Sequence, residues 1–255
     1  MVKNKPLRKV SRRVNSEKTS ENNNFQFSKK SYLKNIKELF FKSDSFLDKI
    51  STEIRYQVFM KDYTLIYLLY FIISLLAGIA FQIPTIQEIL MGFIITVVSA
   101  VIVPFAVAGI IHLGVLAFKG KGMFIDTYKL GVYALTILTV YSMIMVILQL
   151  IFWFIFPYDM GILGQLRNTQ DPDLIASLAT AFLSQPGAKV SIAIYLLINI
   201  VSIIHGFIFF TKGINKFHNI KRGKAVLAIL LPIIVLFVLA VLIILLLSMG
   251  ASISA

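Results

Sequence analysis

The apolar residues of this chain are concentrated in long runs that begin after residue 62. Five of these runs are long enough to cross a bilayer as a helix, which takes about 20 residues. We predict membrane spans at residues 64–82, 89–118, 130–156, 190–211 and 225–248. The second run contains Pro104 and is too short for two crossings, so it is expected to be one tilted, kinked helix. The pattern predicts an all-α polytopic helical bundle, with its transmembrane domain over residues 63–248.

The polar residues ahead of the first span divide into two parts. Residues 1–30 carry nine basic residues among Ser and Asn and few large apolar ones, which is typical of a disordered tail. In residues 31–62 apolar side chains recur at helical spacing, as in Leu33, Ile36 and Phe40. We expect one or two amphipathic helices there, with the apolar face in the membrane interface. Packing of that face against the ends of the spans is the alternative.

The distribution of charge predicts the orientation of the spans. The 255 residues include 25 Lys and Arg against 12 Asp and Glu, a net charge of +13. Residues 1–62 hold 15 of the basic residues, 119–129 hold three and 212–224 hold five, whereas the other loops contain only Arg167 and Lys189. The positive-inside rule then places the N-terminus and the amphipathic segment in the cytosol and the C-terminus outside.

The loop at residues 157–189 is the one sizeable non-cytosolic element that this topology predicts. Asp171, Pro172 and Asp173 have the composition of a helix start, and they precede an apolar stretch at 174–183. We therefore expect a short helix on the outer leaflet.

Residues that could carry chemistry are sparse. The chain has no cysteine, so it cannot form disulfides or thiolate metal sites. The predicted spans contain no Asp or Glu, the residues that mark ion pathways in transporters. The sequence also shows no pattern typical of a catalytic triad, of paired catalytic carboxylates or of a phosphate-binding loop. We expect no enzymatic activity, no catalytic residue, no cofactor and no metal.

The polar residues inside the spans are expected to join helices. His112 and His205 each lie seven residues before a lysine at the cytosolic end, which puts both about 10 Å inside that end. They could face each other, but a metal site or proton relay would require a third ligand. We therefore predict interhelical polar contacts for His112, Asn199, Ser202 and His205.

The cytosolic basic residues are the candidates for binding. Lysine and arginine beside a membrane attract anionic headgroups, and here they are expected to contact lipid or a protein partner rather than nucleic acid. The partner could also be a second copy of this chain. The candidates are Lys34, Lys37, Lys119, Lys121, Lys216, Lys221, Arg222 and Lys224.

Two stretches share features with a known family. In residues 109–134 a span ends in a Gly-Lys-Gly turn and the next begins around Tyr133-Ala134, and residues 213–225, followed by Pro232, precede the last span. Both stretches resemble the Yip domain family of Ypt/Rab-interacting five-span membrane proteins. The resemblance extends over about residues 35–248 and includes the amphipathic entry segment.

One element points to a branch of that family. Eukaryotic trafficking members carry Asp-Leu-Tyr-Gly-Pro before the first span, where this chain has Asp62-Tyr-Thr-Leu65. The similarity is therefore to the broader prokaryotic-type branch, which implies a cell-membrane location in a prokaryote.

Our leading hypothesis is a non-enzymatic membrane protein that organises lipid or recruits partners through its basic cytosolic segments. The absence of a recognisable reaction centre beside three basic segments motivates it. The alternative is a component of a lipid or small-solute transport system, motivated by Pro104, the polar residues of the third span and the two histidines.

The predicted topology can be tested by cysteine labelling, because the native chain has no cysteine. In intact cells a cysteine at Ser184 should react with a membrane-impermeant reagent and one at Ser16 should be protected. The reverse pattern of labelling would show the orientation to be inverted.

Overall fold

The computed structural model describes residues 29–51, 56–81 and 84–253. Within these ranges the chain is helical and contains no strand. The nine helices are α1 (Lys29–Phe41), α2 (Ser43–Ser51), α3 (Tyr56–Phe81), α4 (Ile86–Ala117), α5 (Phe124–Ile155), α6 (Met160–Asn168), α7 (Pro172–Ser184), α8 (Pro186–Phe217) and α9 (Arg222–Ile253). The disordered tail predicted for residues 1–30 lies outside the described residues, apart from its last two positions.

Five of these helices have the length and composition of membrane spans. They are α3, α4, α5, α8 and α9, and each contains a strongly apolar window of at least 18 residues. The prediction of an all-α bundle with five membrane-spanning helices is confirmed. The chain is a multi-pass integral membrane protein.

The helices extend beyond the apolar runs from which the spans were predicted. α5 begins at Phe124 rather than at residue 130, and α8 ends at Phe217 rather than at residue 211. Helices of 32 residues are about 48 Å long, whereas the hydrocarbon layer is about 30 Å thick. Hydropathy detects the part that matches the hydrocarbon and misses the polar turns at the ends.

Side-chain caps fix where several helices begin. At the start of α4 the Thr85 N–H donates to Glu88 Oε2 at 2.7 Å, and the Glu88 N–H donates to Thr85 Oγ1 at 3.2 Å. At the start of α5 the Asp126 Oδ2 accepts from the Met123 N–H at 3.1 Å. The helix start expected at Asp171 is confirmed.

α5 is the central helix of the bundle. It packs against α3, α4 and α8, while α9 lies outside and contacts α4 and α8. The first residues of α5, the turns at 118–123 and 218–221 and the end of α2 all lie at one end of the bundle, which we call the basic end. α6 and α7 lie at the opposite end.

The protein core lies toward the basic end. Nearly every residue of α5 from Thr127 to Ile137 is buried, together with the last turns of α8 and the first turns of α9. The remaining parts of the spans expose large apolar side chains over most of their surface. Such surfaces are stable against lipid, so the membrane covers what the protein does not.

The amphipathic segment at 31–62 forms α1, α2 and the first turns of α3. Its apolar side chains Leu39, Phe46, Leu47 and Ile50 are buried inside the protein, and α1 and α2 contact α5 and α8. For these four side chains the structure shows the alternative, packing against the ends of the spans, rather than contact with lipid. Phe46 packs edge-on against Tyr133 with a centroid distance of 4.9 Å.

The loop at 157–189 is mostly helical. α7 lies at the expected position and buries none of its side chains, and α6 precedes it. The Trp153 indole N–H donates to the Tyr158 carbonyl at 3.4 Å, and the Tyr158 ring packs edge-on against Phe182. Tyr158 thus links α7 to the segment that follows α5.

Gly114 allows the close approach of α4 and α9, which provides a stability test. A Cβ at Gly114 would lie 2.0 Å from the Ala228 carbonyl oxygen, whereas one at Gly109 would meet nothing within 4 Å. We expect Gly114→Ala to destabilise the protein by about 1–3 kcal/mol, because backbone of α9 must move. Gly109→Ala on the same helix is the matched control and should be neutral or slightly stabilising. Thermal unfolding in detergent, followed by size exclusion, measures both, and equal midpoints would contradict the packing.

Candidate functional site

Two turns meet at the basic end and form a single unit. The Lys121 N–H donates to the His218 carbonyl at 3.0 Å, which joins the 118–123 turn to the 218–221 turn. Gly122 lies so close to the imidazole that a Cβ there would be 2.3 Å from His218 Nδ1. Glycine at position 122 of the Gly-Lys-Gly turn is therefore required for close packing on His218.

A buried hydrogen-bonded chain lies directly beneath these turns. Thr127 Oγ1 is 2.9 Å from His112 Nδ1 and 3.0 Å from His218 Nε2. We call these three residues the His–Thr joint, and they connect α4, α5 and the end of α8. Thr127 and His218 are fully buried. A hydroxyl can accept and donate at once, so one threonine can serve both rings.

Burial controls the protonation of His218, which lies just after the membrane-spanning part of α8. Removal from water lowers the pKa of His218 to about 4, His112 beside it adds to the effect, and the Asp126 carboxylate and the Gly122 backbone oppose it. The imidazole is therefore neutral at physiological pH. A neutral ring provides one N–H donor and one acceptor, which suits a structural joint.

A buried cation ties α2 to the start of α5. The Lys129 side chain is 2% exposed, and its Nζ lies 3.1 Å from Asp126 Oδ1. The same Nζ donates to the Ile50 carbonyl near the end of α2 at 3.2 Å and lies 5.4 Å from the centre of the Phe217 ring. Charge counting placed Lys129 in a loop. The i, i+3 spacing of Asp126 and Lys129 would have indicated this ion pair if the helix had been predicted to begin at residue 124 instead of 130.

Two ion pairs join α2 to α8. Lys212 Nζ lies 3.1 Å from Asp44 Oδ1 and 3.2 Å from Ser43 Oγ, and Lys216 pairs with Asp48. Both partners advance by four residues, so α2 runs alongside the last turns of α8 in the same direction. Because these ion pairs are exposed, they contribute little to the stability of the protein. Their main effect is to fix the register of α2 against α8.

The predicted basic candidates separate into two groups. Lys216 pairs with Asp48, and Lys34 lies 3.9 Å from Glu38, whereas Lys37 is exposed on α1. The other five are exposed on the two joined turns and the adjoining first turn of α9. We call them the basic surface: Lys119, Lys121, Lys221, Arg222 and Lys224. Within the part of the chain that the structure describes, none of the five forms an ion pair.

The structure places the predicted interhelical residues in separate contacts. His112 belongs to the His–Thr joint, whereas His205 Nδ1 lies 3.2 Å from the Tyr141 hydroxyl, so the two histidines do not meet. Asn199 donates to the Tyr195 carbonyl of its own helix at 2.8 Å and approaches Met145. Ser202 is buried on α8. Their roles as packing residues remain a prediction.

The polar side chains of the third span bond within their own helix. Thr136, Thr139 and Ser142 each donate to the carbonyl four residues earlier, at 2.9–3.0 Å. Among the described residues no group of three or more His, Asp or Glu side chains is arranged to hold a metal ion. A metal-binding role for His112 or His205 would need a ligand from elsewhere.

The lowered pKa of His218 predicts a pH-dependent stability. Between about pH 6.5 and pH 4 the unfolded chain binds a proton at this residue and the folded protein does not, so the free energy of unfolding falls as pH falls through that window. We expect His218→Gln, which keeps a hydrogen-bonding group near Thr127, to lower overall stability and to flatten this slope. Asn199→Gln, which replaces a polar residue of α8 that does not titrate, is the control and should keep the slope. Thermal midpoints at pH 7.5, 6.5, 5.5 and 4.5 test this, and an unchanged slope in the His218 variant would contradict it.

Comparison with known families identifies the chain. No curated protein and no solved structure shows significant similarity to it. The Yip1 domain matches residues 37–244, which include all the residues of the His–Thr joint and of the basic surface. This span covers most of the chain and agrees with the resemblance found in its two glycine-rich turns. The protein is a member of the Yip1 domain family.

Proposed function

We propose that this protein is a non-enzymatic membrane-organising protein whose basic surface binds anionic lipid headgroups on the cytosolic side of the membrane. The N-terminus then lies in the cytosol and the C-terminus outside, in the cell membrane if the host is a prokaryote. Family membership supports an integral membrane protein of Yip type, and the lipid role is our inference from the basic end.

The observation that carries this proposal is the pairing of acidic residues at the basic end. Asp44 and Asp48 face Lys212 and Lys216, and Asp126 faces Lys129. These acidic groups therefore neutralise lysines of α5 and α8 around α2. The five exposed cations of the basic surface keep their positive charge, and the buried joint beneath holds them as one fixed pattern.

Lipid is favoured over a protein partner by position. The two turns connect membrane-spanning helices directly, so their lysines lie within reach of the headgroup layer. Each Lys or Arg near an anionic surface contributes about 1 kcal/mol of attraction. Proteins of this family interact with Rab/Ypt GTPases and membranes, so recruitment of a protein partner by the same cations is the other outcome to test.

A transport role has less support. Thr136, Thr139 and Ser142 of α5 donate to backbone carbonyls of their own helix, and the two histidines lie in separate contacts. Among the described residues these are packing contacts within or between helices.

Lipid selectivity of the purified full-length protein tests the proposal. We compare two double variants. One carries Lys121→Gln and Lys221→Gln on the basic surface, and the matched control carries Arg167→Gln and Lys189→Gln in the opposite loop. Native mass spectrometry then counts phosphatidylglycerol and phosphatidylcholine molecules retained by each protein. The parent should prefer phosphatidylglycerol, and the basic-surface variant should lose up to about fivefold in affinity per charge removed.

Salt provides the second arm of this experiment. The preference of the parent should weaken as ionic strength rises and the Debye length shortens. Equal retention of the two lipids by the parent, or an equal loss in the control variant, would reject the proposal. A parent without lipid preference that instead captures an acidic protein through the same residues would favour partner recruitment.

A further inference from the structure

We propose that α1 and α2 form a helical hairpin whose tip, at Phe41, inserts into the acyl-chain region of the leaflet at the basic end. This contact is hydrophobic, and it is independent of the proposed binding of anionic headgroups. The inference concerns Phe41, a large apolar side chain of α1 that the protein core leaves exposed.

The two helices fold back on each other at Lys42. Lys49 near the end of α2 lies 3.5 Å from Glu38 and also contacts Asn35, both on α1. These contacts place residues 35–38 of α1 beside residue 49 of α2, so α1 and α2 cannot form one continuous straight helix. The tip of the hairpin therefore consists of Phe40, Phe41 and Lys42.

The register against α5 and α8 shows where the tip points. Near the basic end Lys129 contacts the Ile50 carbonyl, and further along α5 the Phe46 ring packs on Tyr133. Farthest from the basic end, the Phe40 ring lies 5.8 Å from Tyr141. α2 is thus antiparallel to α5, and the tip points away from the basic end toward the middle of the bundle.

The same register gives the depth of the tip. Phe40 packs edge-on against His205 of α8 with a centroid distance of 5.2 Å, while Asp44 pairs with Lys212. His205 precedes Lys212 by seven residues, or about 10 Å along the helix. The Phe40 ring therefore lies about 10 Å inside the level of Lys212 on α8, and Phe41 follows it at the tip of the hairpin.

The surroundings at that depth are apolar. Beside His205, Ile204 and Ile208 of α8 are 53% and 48% exposed, as expected of a lipid-facing surface. Phe41 is 80% exposed, and a large apolar ring at the tip of a hairpin that points toward the middle of the bundle has acyl chains as its natural contact. Lys37 and Lys42 flank it, and their flexible stems allow the ammonium groups to reach the headgroups.

Depth-dependent fluorescence quenching tests the insertion in the full-length protein. The native chain has no cysteine, so Phe41→Cys can be labelled with a nitrobenzoxadiazole probe, and Ser51→Cys, exposed at the other end of α2, is the matched control. Both proteins are reconstituted in vesicles of phosphatidylcholine alone. Neutral lipid separates this test from the proposed binding of anionic headgroups.

We expect the probe at residue 41 to be quenched at least twofold more strongly than the probe at residue 51 by phosphatidylcholine that carries a nitroxide at carbon 5 of an acyl chain. Iodide in the aqueous phase should show the opposite order. Equal access of iodide to both sites would overturn the proposal. Protection of residue 41 from both quenchers would also overturn it, because protein, such as a second copy of the chain, would then cover the tip.

A tryptophan variant provides a second measurement without a bulky probe. Phe41→Trp in a Trp153→Phe background leaves one indole, at the tip. Brominated phosphatidylcholine should quench its emission, and the emission maximum should be blue-shifted relative to Ser51→Trp in the same background. A water-exposed maximum for both variants would contradict insertion.

Discussion

The buried ammonium group of Lys129 constrains the whole basic end. A charge removed from water is stable only with close partners, and the cost of leaving it unpaired is several kcal/mol. Lys129 obtains a carboxylate from Asp126 one turn earlier, and a carbonyl from Ile50 at the end of α2. The C-terminus of a helix carries partial negative charge, so α2 is bound where its dipole favours a cation. This charge therefore holds the end of α2 against α5, and the two ion pairs with α8 set the register of α2 there.

The fixed position of α2 has an electrostatic consequence for the exterior. Because Asp44 and Asp48 are directed at Lys212 and Lys216, the acidic side of α2 is used within the protein. The five cations of the basic surface have no ion-pair partner among the described residues. The described part of the chain thereby presents a positive patch on its two joined turns.

The architecture follows from hydropathy because membrane spans need long apolar runs. Which side of the amphipathic segment faces lipid could not be predicted, since acyl chains and a protein interior are equally apolar and the same leucines suit both. Only the contacts of Phe46 and Leu47 distinguish the two environments. The hydrogen-bond partner of His112 could also not be predicted from the sequence. It depends on Thr127 and on His218, and His218 lies 91 positions after Thr127 in the chain.

The tight contact between the two turns of the basic end limits how this protein can change. Surface loops ordinarily accept insertions, because few contacts depend on their length. Here the 118–123 turn packs Gly120 and Gly122 against His218 and bonds to its carbonyl, so an added residue would pull the imidazole away from Thr127. The two turns therefore behave as one element of fixed length, and a fusion tag or reporter inserted into either of them would disrupt both.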